Sequence, residues 1–423
     1  MGNIFVVVMV VLGLASGPTT SAREELTELR RQARAANEKG DQQARVQAIL
    51  KIEKLLNNSP NAIETLAQAY AAAGDSEHAI AALNQYADLG LADDDLLRGH
   101  PKPFDTLEKL PEYQSILSRF KENETAVSRG EMAFALPDPN ILAEDIDYDP
   151  LSKTFLITGV LEKKIIRITA EGKAVDFAQS PSHWPMLGIK VDASRGLVWA
   201  TEVALDGFTA APKSDWGRSG LLCYDLRTGA LRRRVEGPAH SALGDLVLTP
   251  EGEPIVSDGE GGGVYQLKGD SLERIDGGEF ISPQTATMHP DGKHVLIPDY
   301  LRGVGVLDLA SKQVTWLNQG ERPHALSGID GLYFDRGWLI ATQNGTSPER
   351  VIRFQMNSTL TAIESEEVIE RATSTLGDPT HGVVVGDFFY YIANSGWSEL
   401  DDHGDVKAGS KLTPARVMRV RRR

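Results

Sequence analysis

Two carboxylates, an imidazole and an amide stand at matching places in a stretch that this 423-residue chain repeats. The stretch reads most clearly as EDIDYDPLSKTFLITG, an alternating run that opens on Glu144, turns at an Asp-Pro pair and returns as a second apolar run. It recurs as LGIKVDASRGLVWATE, GDLVLTPEGEPIVSDG, QTATMHPDGKHVLIPDY, DGLYFDRGWLIATQN and HGVVVGDFFYYIANS, opening on Leu187, Gly244, Gln284, Asp330 and His381. If the copies surround an axis, Glu144, Gln284, Asp330 and His381 converge on it. Oxygen donors suit Ca²⁺ or Mg²⁺, and the added imidazole brings Zn²⁺ or Mn²⁺ into range. The same groups could work without metal, Asp330 or Glu144 as general base on water and His381 as proton carrier. A third reading is a solvated channel whose polar lining does no chemistry.

The copies begin 40 to 57 residues apart, near the length of a four-stranded propeller blade. Six copies predict a six-bladed β-propeller over residues 131–423, with the first strand of each blade lining the channel. After the sixth copy only ARVMRVRRR remains, while EMAFALPD (131–138) is an unclaimed strand ahead of the first. That strand is expected to close the ring by completing the last blade. Second strands return to the same mouth, which predicts a rim of Glu202, Asp258, Asp299, Asn344 and Asn394. Two long insertions, after Glu202 and after Ser395, carry Trp216 and Trp397 among charged neighbours. Loops on a rigid scaffold concentrate binding groups, and tryptophan suits a sugar-like or amphipathic ligand. Glu202, Trp216, Asp299 and Trp397 are therefore the expected substrate contacts.

Ahead of the strands, residues 23–125 read as helices, with apolar residues recurring at three and four. NAIETLAQAYAAAGDSEHAIAALNQYADLGL carries Leu66, Ala67, Tyr70, Gly74, Ala79 and Leu83 at tetratricopeptide spacing, and Gly40 precedes Gly74 by 34 residues, the period of that repeat. A third element, PKPFDTLEKLPEYQSILSRF, would cap the stack. So short a solenoid is expected to lean on the strand-rich part of the chain.

Three segments are similar to a known family. EDIDYDP stands where the gluconolactonase, senescence-marker-protein and luciferin-regenerating-enzyme-like family has E-G-P-V-W-D. PQTATMHPDGKHVLIPDY resembles its P-N-G-L-A-x-x-P-D-G-K-x-L-Y-x-x-D motif, and GIDGLYFDRGWLIAT its P-D-G-x-x-x-D-x-x-G-x-L-W-V-A motif. The resemblance spans 131 to the C-terminus. It implies a six-bladed propeller with one divalent metal in the channel and hydrolysis of lactones or related esters. The metal Glu falls on Glu144 and the metal Asp, also the general base, on Asp330. The metal Asn falls on Gln284, one methylene longer, and the family's substrate-contacting Asn falls on Gly244. His381 is a donor that the family pattern does not require.

A net charge of −15 argues against nucleic acid as a partner, since its binders carry a basic face. Residues 1–22 have the layout of a secretory signal peptide, an apolar run over 4–15 followed by small residues up to Ala22. Too few apolar residues are present for a full membrane span, so the expected location is secreted or periplasmic, with no stable span after cleavage. Cys223 is the only cysteine and reads as a buried thiol. Two functions stay open: an exported, metal-dependent hydrolase of a lactone or ester, or a non-enzymatic propeller that binds a small ligand while the helical module holds a protein partner.

Overall fold

The computed structural model describes residues 20–100, 102–318 and 323–422. From Ala143 onward the chain forms six antiparallel sheets, the blades of a propeller, over 143–179, 186–236, 243–274, 287–316, 331–371 and 382–421. Each blade starts at the channel and works outward. The second strand of blade 1, Thr154–Gly159, is buried at every position, because neighbouring blades cover both faces of the sheet. The apolar core consists of the layers between blades. Leu156 and Ile165 of blade 1 meet Ile189, Val198 and Leu222 of blade 2, and at the ring's seam Phe134, Ile392 and Val417 meet Ile146, Ile157 and Ile166.

The seam is closed as expected. Glu131–Ala135 pairs with Arg416–Arg421 as the outermost strand of blade 6. It stops short of 138, where Asp138 accepts a hydrogen bond from Asn140 N and starts a turn. One addition was invisible in the sequence: Val127–Ser128 pairs with the outer strand of blade 5. Two residues are too few to show a period, yet they stitch the incoming chain to two adjacent blades.

The inner strands of blades 1, 2 and 3 share an irregularity. Between Ala143 and Ile146, between Met186 and Ile189, and between Leu243 and Leu246 the pairing slips by one residue. Two residues there face one on the second strand, which is a β-bulge. That one residue is a hydroxyl: Thr158, Thr201 or Ser257. Thr201 Oγ1 accepts from Gly188 N (2.9 Å) and donates to Gly244 O of the next blade (2.5 Å). Thr158 likewise accepts from Asp145 N and donates to Leu187 O, and Ser257 donates to Gln284 O. Thr342 of blade 5 accepts from Gly331 N and donates to Thr380 O of blade 6.

Among the described residues six α-helices precede the propeller: α1 (Ala22–Glu38), α2 (Gln42–Leu55), α3 (Pro60–Ala72), α4 (Ser76–Asp88), the single turn α5 (Asp94–Leu97) and α6 (Pro111–Asn123). The first four stack in chain order as two hairpins. Gly40 and Gly74 turn the two hairpins at φ +72° and +76°, a conformation that costs glycine least. The helices lie on the channel-mouth face, over blades 3 to 5. Ala22 N donates to Gly278 O (3.0 Å), Asn57 Nδ2 to Arg302 O (3.1 Å) and Ala92 N to Ser347 O (2.8 Å). Ala22, Leu26 and Leu56 pack on Ile281. Arg350, fully buried, donates to Leu89 O and to Gln343 Oε1.

The apolar run at 4–15 lies outside the described residues. Ser21 belongs to the fold, because its hydroxyl and Glu24 cap α1 reciprocally. A boundary after Ala22 would remove that cap. No helix among the described residues is long and apolar enough to cross a membrane.

Thr201→Val keeps the shape of a fully buried side chain but leaves Gly188 N–H and Gly244 C=O unpaired. Each buried orphan costs about 1–3 kcal/mol, so denaturant unfolding should show a loss of about 2–5 kcal/mol with native-like secondary structure retained.

Candidate functional site

The bulge in blade 1 sets the direction of Glu144. Placing two successive residues opposite Thr158 turns both Glu144 and Asp145 into the interior, where strict alternation would send one of them away. Glu144 meets Asp330 and His381, which immediately precede the inner strands of blades 5 and 6, and the donor atoms of the three lie within 4.8 Å of one another. All three are buried.

Each donor is held from behind. Trp397 Nε1 donates to Glu144 Oε2 (2.5 Å). Asn344 Nδ2 donates to Asp330 Oδ2 (2.9 Å), and Tyr300 O–H donates to Asn344 Oδ1 (3.0 Å). The Nδ1 of His381 lies 2.8 Å from Glu144 O. Its Nε2 is 3.0 Å from Asp245 Oδ1, an ion-pair contact between two buried side chains. Asp145 accepts from Ile189 N (2.8 Å) and Lys190 Nζ (2.9 Å), which ties the first two blades together at the channel.

Burial pushes the Glu144 carboxyl up to about 8, with the charges of Asp330 and Asp245 adding to it and His381 and Trp397 opposing. Asp330 rises to about 6, again through burial first and then the charge of Asp245, against His381 and Asn344. Burial alone would discharge His381, but Asp245, Asp145 and Asp330 hold it well above its ordinary range. Lys190 is held charged in the same way by Asp145 and Asp147. Five carboxylates (Glu144, Asp145, Asp147, Asp245 and Asp330) thus share two cations. The excess negative charge calls for protons or a metal cation. The set fits an ion in kind: an oxygen from each of Glu144 and Asp330 and a ring nitrogen of His381 lie within 4.8 Å of one another, and only one oxygen of each carboxylate is taken by Trp397 or Asn344.

The other expected site residues lie elsewhere. Gln284 is at the mouth, but its amide donates to Ser282 O (3.3 Å) and Ser282 Oγ (3.1 Å). Glu202 and Asp299, expected to touch substrate, are fully buried braces. Glu202 accepts from Ser180 Oγ, Ser182 Oγ and Arg234 Nε, and Asp299 from the backbone N–H of Ile281, Ser282, Leu301 and Arg302. Asp258 caps Ala242 N and Gly261 N, and Asn394 accepts from Arg416 N. Trp216 is tied into its own insertion through Phe208 O and Ala211 O. Trp397 does reach the site, because the two insertions pack on each other: Thr209 N donates to His403 O (2.8 Å) and Phe208 meets the Trp397 ring at 6.0 Å. Asp245 and Lys190 were not foreseen, and Asn344 was foreseen only as a rim residue.

No protein-family model matches the sequence. No curated protein matches it. Among solved structures the chain is similar to a luciferin-regenerating enzyme, at 16% identity over 70% of this chain and 95% of that one, with a TM-score of 0.47. A calcium-binding protein, regucalcin, from Agrobacterium tumefaciens gives 16% over 69% and 96%, with a TM-score of 0.47. A gluconolactonase from Xanthomonas campestris gives 14% over 70% and 97%, with a TM-score of 0.46. Function has to be read from the site itself.

A Glu144 carboxyl raised from 4.5 to about 8 stays neutral in the folded chain after the unfolded chain has ionised. The metal-free protein is therefore most stable below about pH 4.5 as far as this group is concerned, and that contribution is lost as pH rises to about 8. Glu144→Gln should remove this slope, making the metal-free variant more stable than wild type at pH 8 by about 4 kcal/mol, with little difference at pH 4.5. Unfolding curves across that range, with a chelator present, provide the check.

Proposed function

We propose that this protein hydrolyses a small lactone or related ester with the help of one divalent metal ion in the propeller channel. The carrying observation is the meeting of Glu144, Asp330 and His381, all buried, within 4.8 Å. Among Ca²⁺, Mg²⁺, Zn²⁺ and Mn²⁺, an imidazole beside two carboxylates favours Zn²⁺ or Mn²⁺. Bound there, the ion would supply Lewis acidity toward a carbonyl oxygen and toward water.

The chain's own groups divide the remaining work. Asp330, with its carboxyl near 6, is ionised at neutral pH and takes the proton of the attacking water. Asn344 and Tyr300 hold it in orientation. His381 is fully buried and held charged, so in the metal-free protein it balances the carboxylates and does not shuttle protons. Trp397, Leu187 and Phe208 form an apolar wall beside Glu144, suited to the face of a lactone ring. The lactone or ester class rests on the three family-like segments together with this pairing of acid groups and apolar wall.

A second reading is favoured by one feature of the helices. The groove between α1, α2 and α3 is lined by Arg30, Arg34 and Arg45 above Ile49, Ile52 and Leu56. In an acidic protein that groove suits an acidic protein partner. Export to the medium or periplasm is also proposed, with processing upstream of Ser21 so that the α1 cap survives. N-terminal sequencing of protein recovered from those compartments tests it, and intact Met1 confined to the cytosol overturns it.

Metal analysis and activity screening decide between the two main readings. Glu144→Gln and Asp330→Asn should each lose one equivalent of metal relative to wild type. Asp330→Asn should also lower lactone or ester hydrolysis by about 10²- to 10⁴-fold, with the fold intact by circular dichroism. A wild type without that equivalent, together with full activity in Asp330→Asn, would replace the hydrolase with a binding protein.

A further inference from the structure

The turn between the first two strands of blade 4 reads HPDGKH and lies at the end of the blade away from the channel mouth. Three of its side chains converge. His294 Nδ1 is 2.6 Å from Asp291 Oδ2, and His289 Nδ1 is 3.0 Å from the same oxygen. The turn imposes this arrangement. Asp291 Oδ1 accepts from Lys293 N (2.8 Å) and His294 N (3.1 Å), which leaves Oδ2 aimed at the imidazoles. His289 N donates to His294 O (2.9 Å), which sets the two histidines side by side.

The Nδ1 atoms of both histidines lie against one carboxylate oxygen, so the three groups need positive charge among them, as protons on the imidazoles or as a metal ion in their place. One donor atom from each of the three lies within 4.8 Å of the others. His294 carries a second acid behind it: its Nε2 is 3.5 Å from Asp308 Oδ2. A carboxylate behind the far nitrogen is the arrangement that orients metal-ligating histidines and raises their basicity. The His289 ring is set edge-on against Phe334 at 5.1 Å. The three side chains are between 21% and 31% exposed, open to an ion from solvent.

We propose that His289, Asp291 and His294 form a metal site for a Zn²⁺-class ion at the base of blade 4, separate from the channel. Two imidazoles and one carboxylate disfavour Ca²⁺ and Mg²⁺, which take oxygen cages, and three protein ligands leave a position for water. The site has a structural use. Blade 4 has the shortest inner strand, Thr287–Met288, against four to seven residues in the other blades. An ion clamping the turn would hold the hairpin that this strand secures least.

The test is Zn²⁺ titration by calorimetry and Co²⁺ titration by visible absorption on chelator-treated full-length protein in which Glu144→Gln and Asp330→Asn have removed the channel donors. That protein should bind one equivalent of Zn²⁺, give the intense visible bands of low-coordinate Co²⁺, and melt at higher temperature with Zn²⁺. Adding His289→Gln and His294→Gln should abolish all three effects, and Asp308→Asn should weaken Zn²⁺ binding about 10- to 100-fold. Absence of Zn²⁺ binding in the channel variant at micromolar metal overturns the proposal, as does unchanged binding after both histidines are replaced. Because the Co²⁺ spectrum is read on protein with an intact turn, it decides the question even if the histidine variants fold poorly.

Discussion

One hydroxyl in the second strand of a blade carries much of the propeller's geometry. Thr158, Thr201 and Thr342 each accept a backbone N–H from their own blade's inner strand or bulge and donate to a carbonyl of the next blade. Ser257 makes the second of these bonds. The bond within the blade fixes how the channel-lining residues are turned, and the bond between blades fixes how far apart neighbouring inner strands stand. Glu144 and Asp145 can both face inward only because Thr158 holds that bulge. Asp245 reaches His381 from the corresponding bulge of blade 3.

Charge is the second constraint on the channel. A ring of inner strands brings acids from several blades toward one axis, where little water remains to screen them. Lys190 answers Asp145, and His381 answers Asp245, which leaves Glu144 and Asp330 as the pair without a resident cation. Neutral indole and amide donors, Trp397 and Asn344, stabilise one oxygen of each without cancelling charge. Burial and the neighbouring acids hold both carboxyls of the pair above their ordinary range.

The mouth is framed from both sides. The helices cover blades 3 to 5, anchored by the Ala22, Asn57 and Ala92 bonds and by the buried Arg350. The interlocked insertions carrying Phe208, Trp397 and His403 stand on the opposite side. Among the described residues no carboxylate pairs with the Arg350 guanidinium, and the Leu89 carbonyl and the Gln343 amide oxygen accept from it instead. The helices thus act as part of the rim, and their Arg-lined groove is a separate surface.

Repetition made the architecture legible. Six copies of one strand–turn–strand unit announce six blades, a spare strand at one end announces ring closure, and two glycines one helical repeat apart mark the two hairpin turns. Glu144, Asp330 and His381 could be placed together because equivalent positions in a ring must meet at its axis. What the sequence hid depends on offsets of a single residue. A period-two reading sends the neighbours of Glu144 and Gly244 away from the channel, whereas the bulges turn Asp145 and Asp245 inward. At the ends of the second strands, Gln343 aligns with the buried braces Glu202 and Asp299, and Asn344, one residue on, reaches Asp330. Whether a polar side chain at a strand end faces the channel or ties down its own loop depends on which N–H groups the folded loops leave unpaired. Only the tertiary structure decides that, because those loops come from distant parts of the chain.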